Sequence, residues 1–288
     1  MMTLKEFRLF FTNALKEKYP KTEIAAFFFL LLENKLNLQR IDTVLKPDFI
    51  IDNTILSELK STVKRLQKEE PIQYILGETE FYGLPFIVNK NTLIPRPETE
   101  ELVEWILLEI AKIQGCITPT LSVLDIGTGT GCIPISLAKN LTDVKITAID
   151  ISPEALKVAK QNATLNNVEI TFLEMDILKT HQLEKQYDII VSNPPYVREL
   201  EKAEIKNNVL QNEPHLALFV EDHTPLIFYA KIADLAKQCL TKEGILFFEI
   251  NQYLGKETIE MLEQKGFKNI ALKKDVFGND RMIQASYN

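Results

Sequence analysis

The stretch Leu121-Ser122-Val123-Leu124-Asp125-Ile126-Gly127-Thr128-Gly129-Thr130-Gly131 decides the fold. Its apolar start reads as a buried strand, and three glycines spaced by single threonines read as the turn out of it. Glycine lets the backbone turn tightly and approach a ligand closely, and the helix start that follows presents unpaired N–H donors. Strand, glycine-rich turn and helix in that order open a parallel α/β sheet.

Outward from this stretch, strand and helix patterns alternate. Strands are expected at 122–126, 145–150, 169–173, 188–192 and 245–250, with helices such as 153–165 and 225–240 between them. The apolar runs 270–272 and 282–285 flank the polar turn Phe277-Gly278-Asn279-Asp280 and read as a terminal antiparallel pair. The expected class is α/β: a doubly wound, Rossmann-like sheet with a C-terminal antiparallel hairpin, preceded by a small helical domain.

In that helical domain Leu4, Phe7, Phe11, Ala14 and Leu15 share one stripe, stopped by Tyr19-Pro20. Thr22 is the expected cap of a second helix. Its apolar run 24–32 falls well short of the roughly 18 residues that span a bilayer, and reads as a buried helix. Asn53 or Thr54 is expected to cap another helix, with Ile55, Leu59, Val63 and Leu66 on its apolar face. Phe81-Tyr82, Gly83-Leu84-Pro85 and Phe86-Ile87-Val88 read as a hairpin. After Pro95-Arg96-Pro97-Glu98-Thr99-Glu100 comes a further helix, with Glu98 or Thr99 suited to its positive end. The expected boundaries are a helical domain 1–75, a hairpin linker 76–92 and a sheet domain 93–288.

Of the 288 residues 45% are hydrophobic and 25% charged, the balance of a soluble globular protein of two domains or one large one. The N-terminus, with Lys5 and Glu6 and no cleavage pattern, lacks a secretory signal, so a cytoplasmic location is expected. Cys116, Cys132 and Cys239 are dispersed and odd in number, and His181, His215 and His223 do not repeat at ligand spacing. Neither a disulfide framework nor a metal site is expected. The net charge of −7 argues against a phosphate backbone as the main partner. Residues 1–92 hold 13 Lys and Arg against 12 Asp and Glu, a net of +1, so that region has no basic footprint.

The spacing D-x-G-x-G-x-G from Asp125 to Gly131 is of the S-adenosylmethionine type. The nicotinamide fingerprint would want a last glycine where Cys132 stands. Gly127, Thr128, Gly129, Thr130 and Gly131 are therefore candidate cofactor-binding residues, with a bare structural turn as the alternative. Asp150 ends the next strand about 20 residues on, where an acid accepts ribose hydroxyls. It would otherwise cap the following helix, although Ser152-Pro153-Glu154 already offers a cap. Asp176, after the third strand, is either an acceptor for an adenine amino group or an exposed loop acid.

A second motif, Asn193-Pro194-Pro195-Tyr196, ends the run Tyr187-Asp188-Ile189-Ile190-Val191-Ser192. Two prolines cannot continue a strand, so the chain leaves the sheet in a stiff, extended turn. An amide or aryl NH2 nitrogen is planar and a poor nucleophile, because its lone pair is delocalised. The Asn193 side-chain oxygen and the Pro194 carbonyl would each take one N–H, opposing delocalisation and aiming the lone pair at an incoming methyl group. Pro195 stiffens the turn, and Tyr196 offers an aromatic face. A rigid strand-to-loop connection is the alternative.

With both motifs the chain strongly resembles the release-factor glutamine methyltransferases of the HemK/PrmC type. Pro71-Ile72-Gln73-Tyr74-Ile75-Leu76-Gly77, Phe81-Tyr82-Gly83 and Ile94-Pro95-Arg96-Pro97-Glu98-Thr99-Glu100 are similar to that family's linker signature, and Gly278-Asn279-Asp280-Arg281 to its C-terminal one. The resemblance implies N5-methylation of the glutamine in the Gly-Gly-Gln tip of class-I peptide release factors. The donor would be S-adenosylmethionine, bound by Gly127 to Gly131 and Asp150, with Asn193 beside it and Asp176-Ile177 next to the adenine. Asn193 to Tyr196 would hold the glutamine. The release factor is the expected partner, with no stable nucleic acid, no membrane and a monomeric enzyme. Two stretches depart from the family pattern: Phe219-Val220-Glu221-Asp222-His223 stands in place of a glycine-rich turn, and Asn251 in place of a glycine.

Two other classes compete. An N6-adenine or N4-cytosine nucleic-acid methyltransferase acts on the same flat NH2 group but needs phosphate contacts. A binding module that keeps the cofactor fold without catalysis would not need Asn193.

Overall fold

The computed structural model describes residues 2–113 and 120–287, so Cys116 lies outside the described residues. The chain divides into two compact units: Met1–Gly77 with Lys206–Asn212, and Glu78–Ile205 with Glu213–Asn288.

The first unit is built on three helices. In α1 (Leu4–Leu15) the Thr3 hydroxyl accepts the Glu6 N–H while the Glu6 carboxylate accepts the Thr3 N–H. This reciprocal cap satisfies two donors that the helix cannot. Leu4, Phe7, Phe11 and Leu15 are buried. The second helix, α2 (Lys21–Leu36), is entered from Pro20 rather than capped by Thr22. The extended Pro20 already supplies the carbonyl that accepts the Ile24 N–H. Its apolar run is not buried all round. Ile24, Phe28, Leu31 and Leu32 face the core, Leu30 is exposed, and Phe29 lies under the guanidinium groups of Arg8 and Arg40. A three-helix core accepts one face of a helix only, and arginine covers the remaining apolar surface. The third helix, α3 (Asn53–Leu66), is capped by Asp52 rather than by Asn53 or Thr54, through the Thr54 N–H at 2.8 Å. Leu56, Leu59, Val63 and Leu66 are its buried face.

The second unit opens with a hairpin, β1 (Glu78–Phe81) and β2 (Leu84–Ile87), whose Phe81 and Phe86 pack edge to face in that unit's core. There follow α4 (Pro97–Ile113), β3 (Leu121–Ile126), α5 (Cys132–Asn140), β4 (Val144–Asp150), α6 (Pro153–Leu165), β5 (Thr171–Glu174) and β6 (Tyr187–Ser192). After a loop region come α7 (Ile227–Cys239), β7 (Leu240–Glu249), α8 (Gly255–Gln264), β8 (Lys268–Lys274) and β9 (Asp280–Ser286). One seven-stranded sheet runs β8-β9-β7-β6-β3-β4-β5. Strand β9 runs antiparallel to both its neighbours, β7 and β8, and the remaining pairings of the sheet are parallel. Two apolar clusters hold the sheet, one including Ile190, Tyr229 and Phe248, the other Val123, Ile189 and Phe247.

From β3 the chain builds outward through β4 to β5, then returns to lay β6 on the other side of β3. Such a reversal opens a crevice at the carboxyl ends of the two central strands, where doubly wound sheets bind ligands. Strand β7 begins at Leu240 rather than at residue 245, across an irregularity of register between Leu240 and Ile245. Among the described residues no helix is long and apolar enough to cross a membrane.

Candidate active site

The register of β3 and β6 sets Ile126 opposite Ser192, and the Ser192 hydroxyl donates to the Ile126 carbonyl at 2.6 Å. The glycine loop and the Asn-Pro-Pro-Tyr turn therefore leave the sheet side by side. A Cβ on Gly127 would lie 3.9 Å from the Asn193 carbonyl oxygen. Gly127, Gly129 and Gly131 have φ of 80°, 56° and 80°, a region that L side chains disfavour. Gly131 is further constrained by packing, since a Cβ there would come within 3.0 Å of Ile135 and 3.2 Å of Ala159.

Asp150 closes the loop from the next strand. Its Oδ2 accepts the Gly129 N–H at 2.8 Å and its Oδ1 the Ser152 N–H at 2.9 Å. Capping of α6 falls to the Ser152 hydroxyl, which accepts the Ala155 N–H. Burial raises the Asp150 carboxyl above its ordinary value, against the backbone N–H groups of Ser152, Gly129 and Ile151 that favour its charge. A carboxylate has about four acceptor positions, so two remain for a ligand's hydroxyls. Asn162 on α6 secures the far end of the loop. Its Nδ2 donates to Thr130 O at 2.9 Å and to Ile87 O at 3.0 Å, and its Oδ1 accepts the Ile87 N–H at 2.7 Å.

The cavity above the loop is lined by Gly127 to Thr130, by Asp150 and by Asn193 to Pro195, with Ile126, Ile149 and Ile177 among its apolar walls. Asp176 also lines it, with its carboxylate turned to its own loop: Oδ1 accepts the Leu178 N–H and Oδ2 pairs with Lys179 at 2.8 Å. The Lys179 contact holds the Asp176 carboxyl below its usual value. Tyr196 stands apart from the rest of its motif. Its ring packs against the core, and its hydroxyl donates to Glu249 at 3.2 Å.

Several contacts here carry no signal in the sequence that singles them out. Asp125 and the Thr128 hydroxyl are buried beside the loop, neither with a hydrogen bond of good geometry among the described residues, and burial pushes the Asp125 carboxyl up to about 7 against the lowering effect of the neighbouring Thr128 hydroxyl. Glu213, buried in the loop region, takes the Arg96 Nη2 at 2.6 Å and the Ile94 N–H at 3.1 Å, fixing the Pro95–Pro97 segment at the cavity wall. Thr99 and Glu249 meet under the Asn193 turn. Asn251, conspicuous only as a departure from a pattern, donates to Tyr196 O at 2.9 Å and to Glu201 at 2.8 Å. The other departure begins with a two-residue parallel pairing of Phe219–Val220 with Val197–Arg198, and its Asp222 accepts the Leu200 N–H.

The donor set suits S-adenosylmethionine. Asp150 keeps acceptor positions that would take ribose hydroxyls, Ile126, Ile149 and Ile177 offer apolar walls to a flat ring, and the buried polar atoms of Asp125 and Thr128 lie beside the loop. Two solved methyltransferases share the fold. The catalytic domain of hMettl16, solved with a MAT2A 3′UTR hairpin, superposes with a TM-score of 0.55 at 16% identity over 82% of this chain and 83% of that one. The Thermus thermophilus 16S rRNA N2 G1207 methyltransferase, solved with AdoMet and guanosine, gives 0.52 at 17% identity over 73% of this chain and 50% of that one. Residues 107–221 match the family described as the methyltransferase small domain. The sheet and its crevice are those of a class I, Rossmann-like methyltransferase.

Residues 7–77 match the PrmC N-terminal domain. The release factor glutamine methyltransferase of Flavobacterium psychrophilum is 56% identical over 99% of this chain and its own full length. That of Bacteroides thetaiotaomicron is 44% identical over 95% of this chain and 96% of its own. The chain belongs to the release factor glutamine methyltransferase family.

Proposed function

We propose that this enzyme transfers the methyl group of S-adenosylmethionine to N5 of the glutamine in the Gly-Gly-Gln motif of class-I peptide chain release factors. The observation that carries the proposal is the adjacency of Gly127 and Asn193 at paired strand ends, in a chain of this family. S-adenosylmethionine supplies a methyl group already activated on a sulfonium sulfur. Asp150 would hold the ribose, the Gly127 to Gly131 backbone the methionine end, and Ile177 with Asp176 would lie beside the adenine. Asn193 Oδ1 and the Pro194 carbonyl each take one N–H of the substrate amide. Those bonds strengthen as the nitrogen becomes tetrahedral and gains positive charge, which is transition-state binding. The nitrogen would take the methyl group as the methyl's bond to sulfur breaks, and its surplus proton would leave to water. Asn193 is a neutral carboxamide and orients rather than removes that proton. Pro195 keeps the turn stiff and Tyr196 anchors it.

The helical unit recognises the body of the release factor, and the enzyme acts as a cytoplasmic monomer without a nucleic-acid partner. Incubation with labelled S-adenosylmethionine tests the proposal. One label per release factor on the Gly-Gly-Gln glutamine, with none in duplex DNA, supports it. Label in DNA and none in the factor overturns it.

A further inference from the structure

The carboxyl end of β7 carries Glu249, a buried acid outside both motifs and outside the cavity lining. Its Oε2 accepts the Thr99 hydroxyl at 2.7 Å, and its Oε1 accepts the Tyr196 hydroxyl at 3.2 Å. The Thr99 oxygen in turn accepts from Asn193 Nδ2 at 3.4 Å. A carboxylate only accepts hydrogen bonds, whereas a hydroxyl both donates and accepts. Burial raises the Glu249 carboxyl, and the Thr99 and Tyr196 hydroxyls with Arg281 oppose that rise; with Glu249 ionised, Thr99 spends its single proton on it and keeps its oxygen as an acceptor toward Asn193. The nitrogen of the Asn193 amide is drawn to Thr99, and its oxygen is left for the cavity.

We infer that Glu249 is a positioning residue for methyl transfer, setting through Thr99 which end of the Asn193 amide meets the substrate. The inference rests on the proposed reading in which Asn193 Oδ1 accepts a substrate N–H. With the Asn193 amide reversed, its NH2 would face the substrate NH2, donor against donor. The same strand end steadies the turn through its backbone, since Asn251 Nδ2 holds Tyr196 O at 2.9 Å. Asn251 is itself held by Glu201, which also accepts the Arg198 side chain. Glu249 thus sets the polarity of the turn, and Asn251 holds its place.

Glu249→Gln is the informative change, because it leaves one acceptor oxygen for two hydroxyl donors: with that oxygen on Tyr196, the new NH2 donates to Thr99 and reverses both bonds of the relay. In single turnovers of the full-length enzyme on an intact class-I release factor, Glu249→Gln should slow methylation by about 10- to 100-fold. Its affinities for S-adenosylmethionine and for the release factor should stay within about twofold. Thr99→Val should give a similar loss, while Thr99→Ser, which keeps the hydroxyl, should stay within about threefold of wild type. The double variant Glu249→Gln/Thr99→Val should be no slower than its slower parent, since both changes break one relay. Wild-type rates in both Glu249→Gln and Thr99→Val, or losses that multiply in the double variant, would overturn the inference. Should Glu249→Gln fail to fold, the Thr99 pair decides alone: equal rates for valine and serine reject the relay. Asn193→Ala separates the two layers. If it is inactive while Glu249→Gln and Thr99→Val are normal, only the relay falls, and if Asn193→Ala is itself normal, the reading of the site falls with it.

Discussion

Asp150 holds Gly129 through a 2.8 Å hydrogen bond, so the acid ending β4 and the loop leaving β3 form one piece. Asp150→Ala removes both the anchor of the loop and the expected acceptor of the ribose hydroxyls. S-adenosylmethionine affinity should fall by about 1–3 kcal/mol, the range for charge-assisted hydrogen bonds. Titration calorimetry on the folded variant checks this, and an unchanged affinity would confine Asp150 to holding its turn.

Asn193 should matter to rate more than to affinity. Asn193→Ala should lower kcat by about 10²–10³, in the range seen when one preorganised hydrogen-bonding group is lost, with cofactor affinity nearly unchanged. Asn193→Asp keeps an acceptor and should retain more of the rate than alanine. Wild-type single-turnover rates in both variants would show that the side chain only shapes the turn.

The buried Asp125 makes stability depend on pH in a defined direction. Its carboxyl titrates near 7 in the fold, raised by burial, against about 3.9 in an unfolded chain. Between those values the folded state holds a proton that the unfolded state has lost, so stability falls as pH rises from about 4 through 7. Asp125→Asn, which is never charged, should be more stable than wild type at pH 8 by up to about 4 kcal/mol in the absence of cofactor. The gain should shrink toward zero near pH 4. Urea melts at the two pH values measure it, and a gain that is equal at both would assign the effect to packing instead.

Glu213 ties two parts of the second unit that are distant in sequence. Glu213→Ala would leave the Ile94 N–H without its acceptor and Arg96 without its partner. A loss of about 1–3 kcal/mol in chemical denaturation is expected, with Arg96 partly exposed and so partly rehydrated. A change under about 0.5 kcal/mol would mean that the segment re-pairs elsewhere.

Much of this arrangement is legible along the chain because it is local. Ser152 followed by Pro153 announces α6, and the glycines of 127–131 and the prolines at 194 and 195 punctuate strand ends whatever surrounds them. What is hidden depends on partners brought from afar. The Thr99–Glu249 contact joins residues 150 positions apart, and no periodicity reports it. The early start of β7 is masked by Lys242-Glu243-Gly244, which interrupt the apolar alternation while pairing continues around them. At the helix starts Pro20 and Asp52 took the place of Thr22, Asn53 and Thr54, since whichever residue first presents a free acceptor begins the helix. Asp125 shows the same limit: a motif names the residue, but only packing on every side makes it a titrating group near neutrality.

The amide of Asn162, gripping Ile87 and Thr130 together, gives the hairpin a second role as a reporter. The Ile87 N–H reaches solvent only when Asn162 releases it, and that release also frees the Thr130 carbonyl of the cofactor loop. A ligand that tightens the loop should therefore slow deuterium uptake at Ile87, a residue that does not line the cavity. Exchange followed by mass spectrometry with and without S-adenosylmethionine would register cofactor occupancy from the hairpin. Equal uptake in the two states would mean that the hairpin opens on its own.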